Sequence, residues 1–241
     1  MISVMLVIGT HLQHLYLRRN KLVMIEEYKS ETGVDKWIRE NIFTDTKYKG
    51  IFIEVGAATP ETISNSYHFR INGWRTIAIE PNPYFVELHQ KVDSEVYDYA
   101  CSNLDKDNVP FTIVGKIDDN DVNAITFHSF SHLESSSLLD RIPEDWKTTY
   151  NNLEKEEIKI KVRKLDTILK ELKIKKIDIL TIDVEGNEME VLEGFNIKKY
   201  KPTVIVLENI GGYFNFHDVL TPYGYEHQVT LGDYDEIYLL K

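Results

Sequence analysis

Apolar positions along the chain follow two periods. Some runs are short and continuously apolar, and between them stand stretches with apolar residues three and four apart. Val34, Trp37, Ile38 and Ile42 recur at helical spacing and predict an amphipathic helix over Gly33–Phe43. Ile51–Val55 (IFIEV) reads as a strand. Thr59 is placed to cap a second helix, with Pro60 in its first turn and Asn72-Gly73 as its stop. Arg75–Glu80 (RTIAIE) is the next strand, broken by Pro81-Asn82-Pro83. A helix from about Tyr84 to Val92 carries Phe85, Leu88 and Val92 on one face, and Glu95–Ala100 is a third strand. The order β-α-β-α-β predicts a parallel sheet with right-handed crossovers.

The middle of the chain loses this regularity. Val109–Val114, Asn123–Phe127 and Glu157–Arg163 read as strands, but residues 115–156 form an irregular insert rich in Ser, Asp, Asn and His. A connection this long inside a domain usually carries function, and a substrate lid is expected there. Periodicity returns with Leu165, Ile168, Leu169 and Leu172 on one helix face. Ile177–Ile182 is a strand, Asn187–Phe195 a helix and Thr203–Leu207 (TVIVL) a buried strand. Tyr225–Thr230 and Glu236–Leu240 flank LGDYD as a terminal hairpin. The expected fold is α/β and Rossmann-like: a mostly parallel central sheet closed by an antiparallel hairpin, with a plain dinucleotide-binding fold as the alternative.

Composition narrows the partners. The chain has 241 residues, 42% of them hydrophobic, which suits one domain. Residues 1–30 are expected to be an extension and 31–241 the domain. A net charge of −11 argues against a nucleic-acid partner. The single cysteine, Cys101, rules out an internal disulfide framework and fits a reducing compartment, so a cytoplasmic location is expected. The apolar run Ile2–Ile8 is far shorter than the roughly 20 residues that span a bilayer, and the charges after it do not make a signal peptide.

The loop after the first strand, VGAATPET, looks like half of a nucleotide-binding turn. The dinucleotide fingerprint needs three glycines, but here its positions are Gly56, Ala58 and Glu61. A carboxylate in the first turn would repel pyrophosphate, and there is no Walker lysine. The loop therefore disfavours NAD, FAD and ATP. S-adenosylmethionine has a sulfonium and an ammonium and carries no phosphate. Glu54 could face the ammonium, Gly56 could admit the ligand, and Glu80 stands where an acidic residue accepts ribose hydroxyls. A second motif, IDILTIDVEGNEMEVLEG, places Asp183 at a strand end with Glu185 and Glu188 behind it. Asp183 and Asn187 are alternatively helix caps, and the two glutamates first-turn acids.

The segment IDVEGNEMEVLEG resembles the hallmark of the FkbM family of S-adenosylmethionine-dependent methyltransferases. FIEVGA, NGWRTIAIEPNP, YACSN, SSSLL, KLDTILKEL and TVIVLEN stand in the same order, over about Gly50 to Asn209. The resemblance implies a Rossmann-like methyltransferase fold and methyl transfer to an oxygen, commonly a hydroxyl of a sugar, glycan or natural product. It assigns Glu54 and Gly56 to the cofactor loop, Glu80 to the ribose, Ala100, Cys101 and Ser102 to the adenine side, and Asp183 with Glu185 to the reacting centre. One departure is that family loops often carry Asn or Asp and a second glycine where this chain has Ala57-Ala58-Thr59-Pro60.

An alcohol must be oriented and deprotonated to attack a methyl group. Asp183 is the first candidate for that task, with His128 and His132 as alternatives. Asp183, Glu208 and Asn209 end strands and supply oxygen ligands suited to Mg²⁺. Acceptor choice is expected from Gly115–Glu156 and from Gly211–Asp218. Competing readings are an NAD-dependent oxidoreductase and a non-catalytic binding module.

Overall fold

The computed structural model describes residues 25–114, 130–131 and 155–241. The apolar runs become strands whose successive side chains point to opposite faces. Strands β1 (Ile51–Val55), β2 (Arg75–Ile79) and β3 (Glu95–Tyr97) lie parallel, and β8 (Ile179–Ile182) and β9 (Val204–Glu208) extend the parallel set from the other side of β1. The terminal hairpin, β10 (Tyr225–Leu231) and β11 (Asp235–Leu240), joins through β11 antiparallel to β9. The order is β10-β11-β9-β8-β1-β2-β3. This is the expected Rossmann-like sheet.

Both faces are covered, which is why these strands read as continuous apolar runs rather than alternating ones. Phe52, Ile179, Val204, Val206 and Ile237 pack on one face with Val34 and Ile38 of α1 (Val34–Asn41), Phe69 of α2 (Tyr67–Ile71) and Trp74. Ile53, Val55, Ile77, Ile79, Leu180, Ile182, Ile205 and Leu207 pack on the other. There they meet α4 (Leu165–Glu171), α5 (Glu188–Glu193), α6 (Ile197–Tyr200) and α7 (Phe216–Leu220). Burying one such Phe, Ile or Leu contributes roughly 1.5–3 kcal/mol.

Several boundaries differ from expectation. The second helix does not start at Thr59. Its N-cap is Ser66, and residues 57–66 form a loop in which the Thr59 hydroxyl donates to the carbonyl of Thr62. Glu61 therefore lies in a loop and not in a first helical turn, where it ion-pairs with Arg70 at 3.9 Å. The expected strand Glu95–Ala100 divides, because Tyr99 N–H donates to the carbonyl of Tyr97 at 3.0 Å and turns the chain. Beyond that turn, β4 (Ala100–Cys101) belongs to a second sheet with β7 (Lys155–Arg163), β5 (Lys106–Val114) and β6 (Phe130–Ser131). In it β5 and β7 run antiparallel from Lys106↔Val162 to Val114↔Lys155. The expected strand Asn123–Phe127 lies outside the described residues.

Residues 25–30 are bonded to the domain. Asn72 exchanges hydrogen bonds with Ile25 on both sides of its amide, at 2.8 Å each, and Tyr28 stacks on His68. Asp35 accepts from the backbone N–H groups of Lys29 and Ser30.

Candidate active site

Strand order reverses direction between β1 and β8, and open α/β sheets bind ligands at that point, beyond the carboxyl ends of the strands. Gly56 and Asp183 stand there. Gly56 has φ 78, and a Cβ on it would lie 1.6 Å from the carbonyl oxygen of Asp183. The close approach that this glycine permits is thus between the ends of β1 and β8. Asp183 N–H in turn donates to Val55 O at 3.0 Å.

The loop beyond Gly56 is held mainly by side chains from elsewhere. Gly56 and Ala57 N–H both donate to the carbonyl of Ile79, at 3.0 and 3.4 Å. Ala58, with φ 42, donates to Glu80 Oε2 at 2.9 Å, while Glu80 Oε1 accepts from Asn82 N–H at 2.8 Å. The far end of the loop returns to Glu54, whose Oε1 accepts from Asn65 N–H at 2.8 Å and whose Oε2 accepts from Ser64 Oγ at 3.4 Å. Burial pushes both glutamates up to about 7, against the opposing pull of these donors. Asn82 caps α3 (Pro83–Lys91) through Oδ1, yet its buried Nδ2 has no partner. An acidic acceptor beside an orphaned buried donor fits the hydroxyl-rich, uncharged side of a nucleoside.

The second motif folds into a tight turn. Glu185 at φ 58 and Gly186 at φ 94 are both left-handed, and Glu188 reaches back so that Oε1 accepts from Val184 and Gly186 N–H, each at 3.0 Å. Burial pushes Glu188 up to about 7. Asn187 Nδ2 donates to Cys101 O at 3.4 Å, and Ser102 N–H donates to Arg163 O. Cys101 is thereby joined to the turn that follows Asp183, while Ala100 pairs with Val162 and Ser102 bonds to Arg163 in the second sheet. The Cys101 thiol, raised by burial, stays protonated.

Alternation puts Asp183, Glu208 and Asp235 on the face shared by Phe52 and Ile179. The Asp183 and Glu208 carboxyls hydrogen-bond to each other. Both are raised well above the usual range, Asp183 by burial and then by Glu185, Asp235 and Glu188, and Glu208 by burial and then by Asp183. Two carboxyls this closely coupled titrate as a pair. Asp235, which accepts from the Thr32 hydroxyl, is pushed by burial up to about 6.

The expected metal set is not assembled. Asn209 Nδ2 donates to Phe214 O and Glu236 Oε1, and its Oδ1 accepts from Phe214 N–H at 3.1 Å. It clasps the 210–214 turn and presents the exposed Tyr213. Among the described residues no three His, Cys, Asp or Glu side chains are grouped to hold a metal ion. With Asn209 committed to its own turn, the donor set does not fit Mg²⁺. His128 and His132 lie outside the described residues.

Sequence alone does not single out Glu188, Asn82 or His89 as site residues. Glu188 reads as a first-turn acid, and no local signal reveals that it folds back on its own turn.

No helix among the described residues is long and apolar enough to cross a membrane. No curated protein matches the chain. A crystal structure of the methyltransferase FkbM from Methylobacillus flagellatus KT is similar at 15% identity and a TM-score of 0.47, over 79% of this chain and 43% of that one. The chain thus spans less than half the length of that protein. The family model for the methyltransferase FkbM domain matches residues 54–227, and this chain belongs to that family.

Proposed function

We propose that the chain is an S-adenosylmethionine-dependent O-methyltransferase acting on a hydroxyl of a sugar, glycan or related small molecule. The observation that carries this reading is the buried, hydrogen-bonded Asp183–Glu208 carboxyl pair at the switch point. Burial and the neighbouring carboxyls raise the proton affinity of Asp183, which suits it to taking a hydroxyl proton.

When bound, the cofactor supplies an electrophilic methyl group on a sulfonium. The chain's residues do the rest. Glu80 and Asn82 offer an acceptor and a donor to the nucleoside side, and the carboxylates about Gly56 favour a cationic ligand. Asp183 would orient the acceptor hydroxyl and take its proton as that oxygen receives the methyl group, with the sulfonium left as a neutral thioether. Glu208 stabilises the protonated Asp183 by the shared hydrogen bond. No step is routed through a metal.

An NAD-dependent reading finds less support. Pyrophosphate sites use successive backbone N–H groups at a helix start. Here the N–H groups of Gly56, Ala57 and Ala58 are all turned to β2 or Glu80, and the helix begins only at Tyr67.

In the test, Asp183→Asn should lower turnover at least 100-fold while S-adenosylhomocysteine binding, measured by calorimetry, stays within about threefold. Unchanged turnover would remove Asp183 from the proton-transfer role. Absence of binding by the wild type at millimolar ligand would favour a non-catalytic module.

A further inference from the structure

Ala58 occupies the position at which a second glycine would ease the loop, and it stands in the left-handed region at φ 42. An L-residue held there needs restraint from its surroundings. Two side chains supply it. Glu80 accepts the Ala58 N–H at 2.9 Å, and His89 Nε2 lies 3.2 Å from the Ala58 carbonyl. His89 comes from α3, is 1% exposed, and has its Nδ1 3.0 Å from Ser94 Oγ.

The roles in this chain of contacts are dictated. A carbonyl can only accept, so Nε2 carries the proton. Nδ1 is then the acceptor, and the Ser94 hydroxyl donates to it. Burial lowers His89 to about 4, so the ring remains neutral with a single N–H at neutral pH. The Ser94 backbone N–H also donates to the carbonyl of His89 at 3.0 Å, which ties the helix end to the same relay.

We propose that His89 is a positioning residue for the cofactor loop: with Glu80 it clamps both sides of Ala58 and so holds the Gly56–Thr59 backbone in a ligand-ready shape without a second glycine. The consequence for the ligand rests on the S-adenosylmethionine reading, whereas the clamp itself does not. His89 touches loop backbone and has no part in proton transfer.

Two readouts test the proposal. The first needs no ligand. Long-range ¹H–¹⁵N spectra of the imidazole should show the neutral Nε2–H tautomer of His89 near pH 7, and His89→Leu should speed amide exchange of Ala58 about tenfold or more. The opposite tautomer, or unchanged exchange at Ala58, overturns the clamp. The second is S-adenosylhomocysteine affinity by calorimetry. His89→Leu should weaken it about tenfold. His89→Gln, which keeps a donor at similar reach, should stay within about threefold of the wild type, and Ala58→Gly introduced into the Leu variant should recover part of the loss. Leu and wild-type proteins binding equally, with melting temperatures alike, would overturn the positioning role. If the wild type binds no S-adenosylhomocysteine, the cofactor reading fails, and the exchange measurement still decides the clamp.

Discussion

Glu80 is a buried carboxyl with two backbone donors, and its proton affinity has a measurable consequence. Burial raises it from about 4.5 to about 7 in the folded protein. Between those values the folded state keeps a proton that the unfolded state has released. Its contribution to stability is therefore fullest below about pH 4.5 and is lost as pH rises through 7. Glu80→Gln removes that titration. From about pH 5.5 to 7.5 the variant should gain about 2 kcal/mol relative to the wild type, from 1.36 kcal/mol per unit. Urea unfolding at the two pH values measures it, and parallel profiles would show that Glu80 titrates as an ordinary carboxylate. His89 has the opposite sign: held near 4, it costs stability as pH falls below its ordinary value of 6.5. At this scale the sequence is partly legible. Glu80 and Asp183 can be read because strand ends in parallel sheets mark ligand sites. Glu188 and His89 cannot, because their partners are backbone groups whose direction only the folded turn defines.

The two turns at the site are built differently, and single substitutions should separate them. Gly56 is wedged against the β8 backbone, so Gly56→Ala must move strands apart as well as strain φ. A loss of about 3 kcal/mol or more is expected in denaturant melts, since no flexible side chain can yield. A variant as stable as the wild type would refute the wedge. The 183–187 turn instead depends on one oxygen, Glu188 Oε1, which takes two N–H groups. Glu188→Gln retains that oxygen and should be tolerated within about 0.5 kcal/mol, whereas Glu188→Ala should cost about 2 kcal/mol by leaving both donors unpaired. Equal losses in the two variants would contradict this assignment. The strands are legible because both sheet faces are covered and the apolar runs are unbroken. The helix start expected at Thr59 fails for a physical reason. Thr and Pro in series satisfy local capping rules, but Glu54, Glu80, His89 and Arg70 reach in from other elements and hold residues 57–66 as a loop.

Across the whole molecule, the carboxyl ends of β1, β2, β8 and β9, with the start of β11, gather Glu54, Glu80, Asp183, Glu208 and Asp235 beyond one sheet face, within a chain of net charge −11. As these carboxyls ionise they attract a cation and repel phosphate, and a bound cation would in turn favour their ionised forms. S-adenosylhomocysteine at 100 times its Kd should stabilise the fold by about 2.7 kcal/mol, and NADH at the same concentration should not. A thermal shift with NADH alone would reverse the cofactor assignment. The second sheet is illegible in the sequence because its long strands, β5 and β7, are separated by residues 115–154, and no periodicity signals that they pair.

That pairing makes the domain divisible. Val114 and Lys155 are directly opposed in the antiparallel ladder, so β5 ends and β7 begins at one point, and of the residues between them Phe130 and Ser131 pair back onto Thr112 and Phe111 of β5. An Asn-Gly hairpin could join β5 to β7 directly at this point, at the loss of the short β6 pairing, since two residues suffice to join opposed strands. Such a minimal chain keeps the Gly56 and Asp183 turns, which lie outside β5 and β7, and a thermal shift with S-adenosylhomocysteine equal to that of the full chain is the expected outcome.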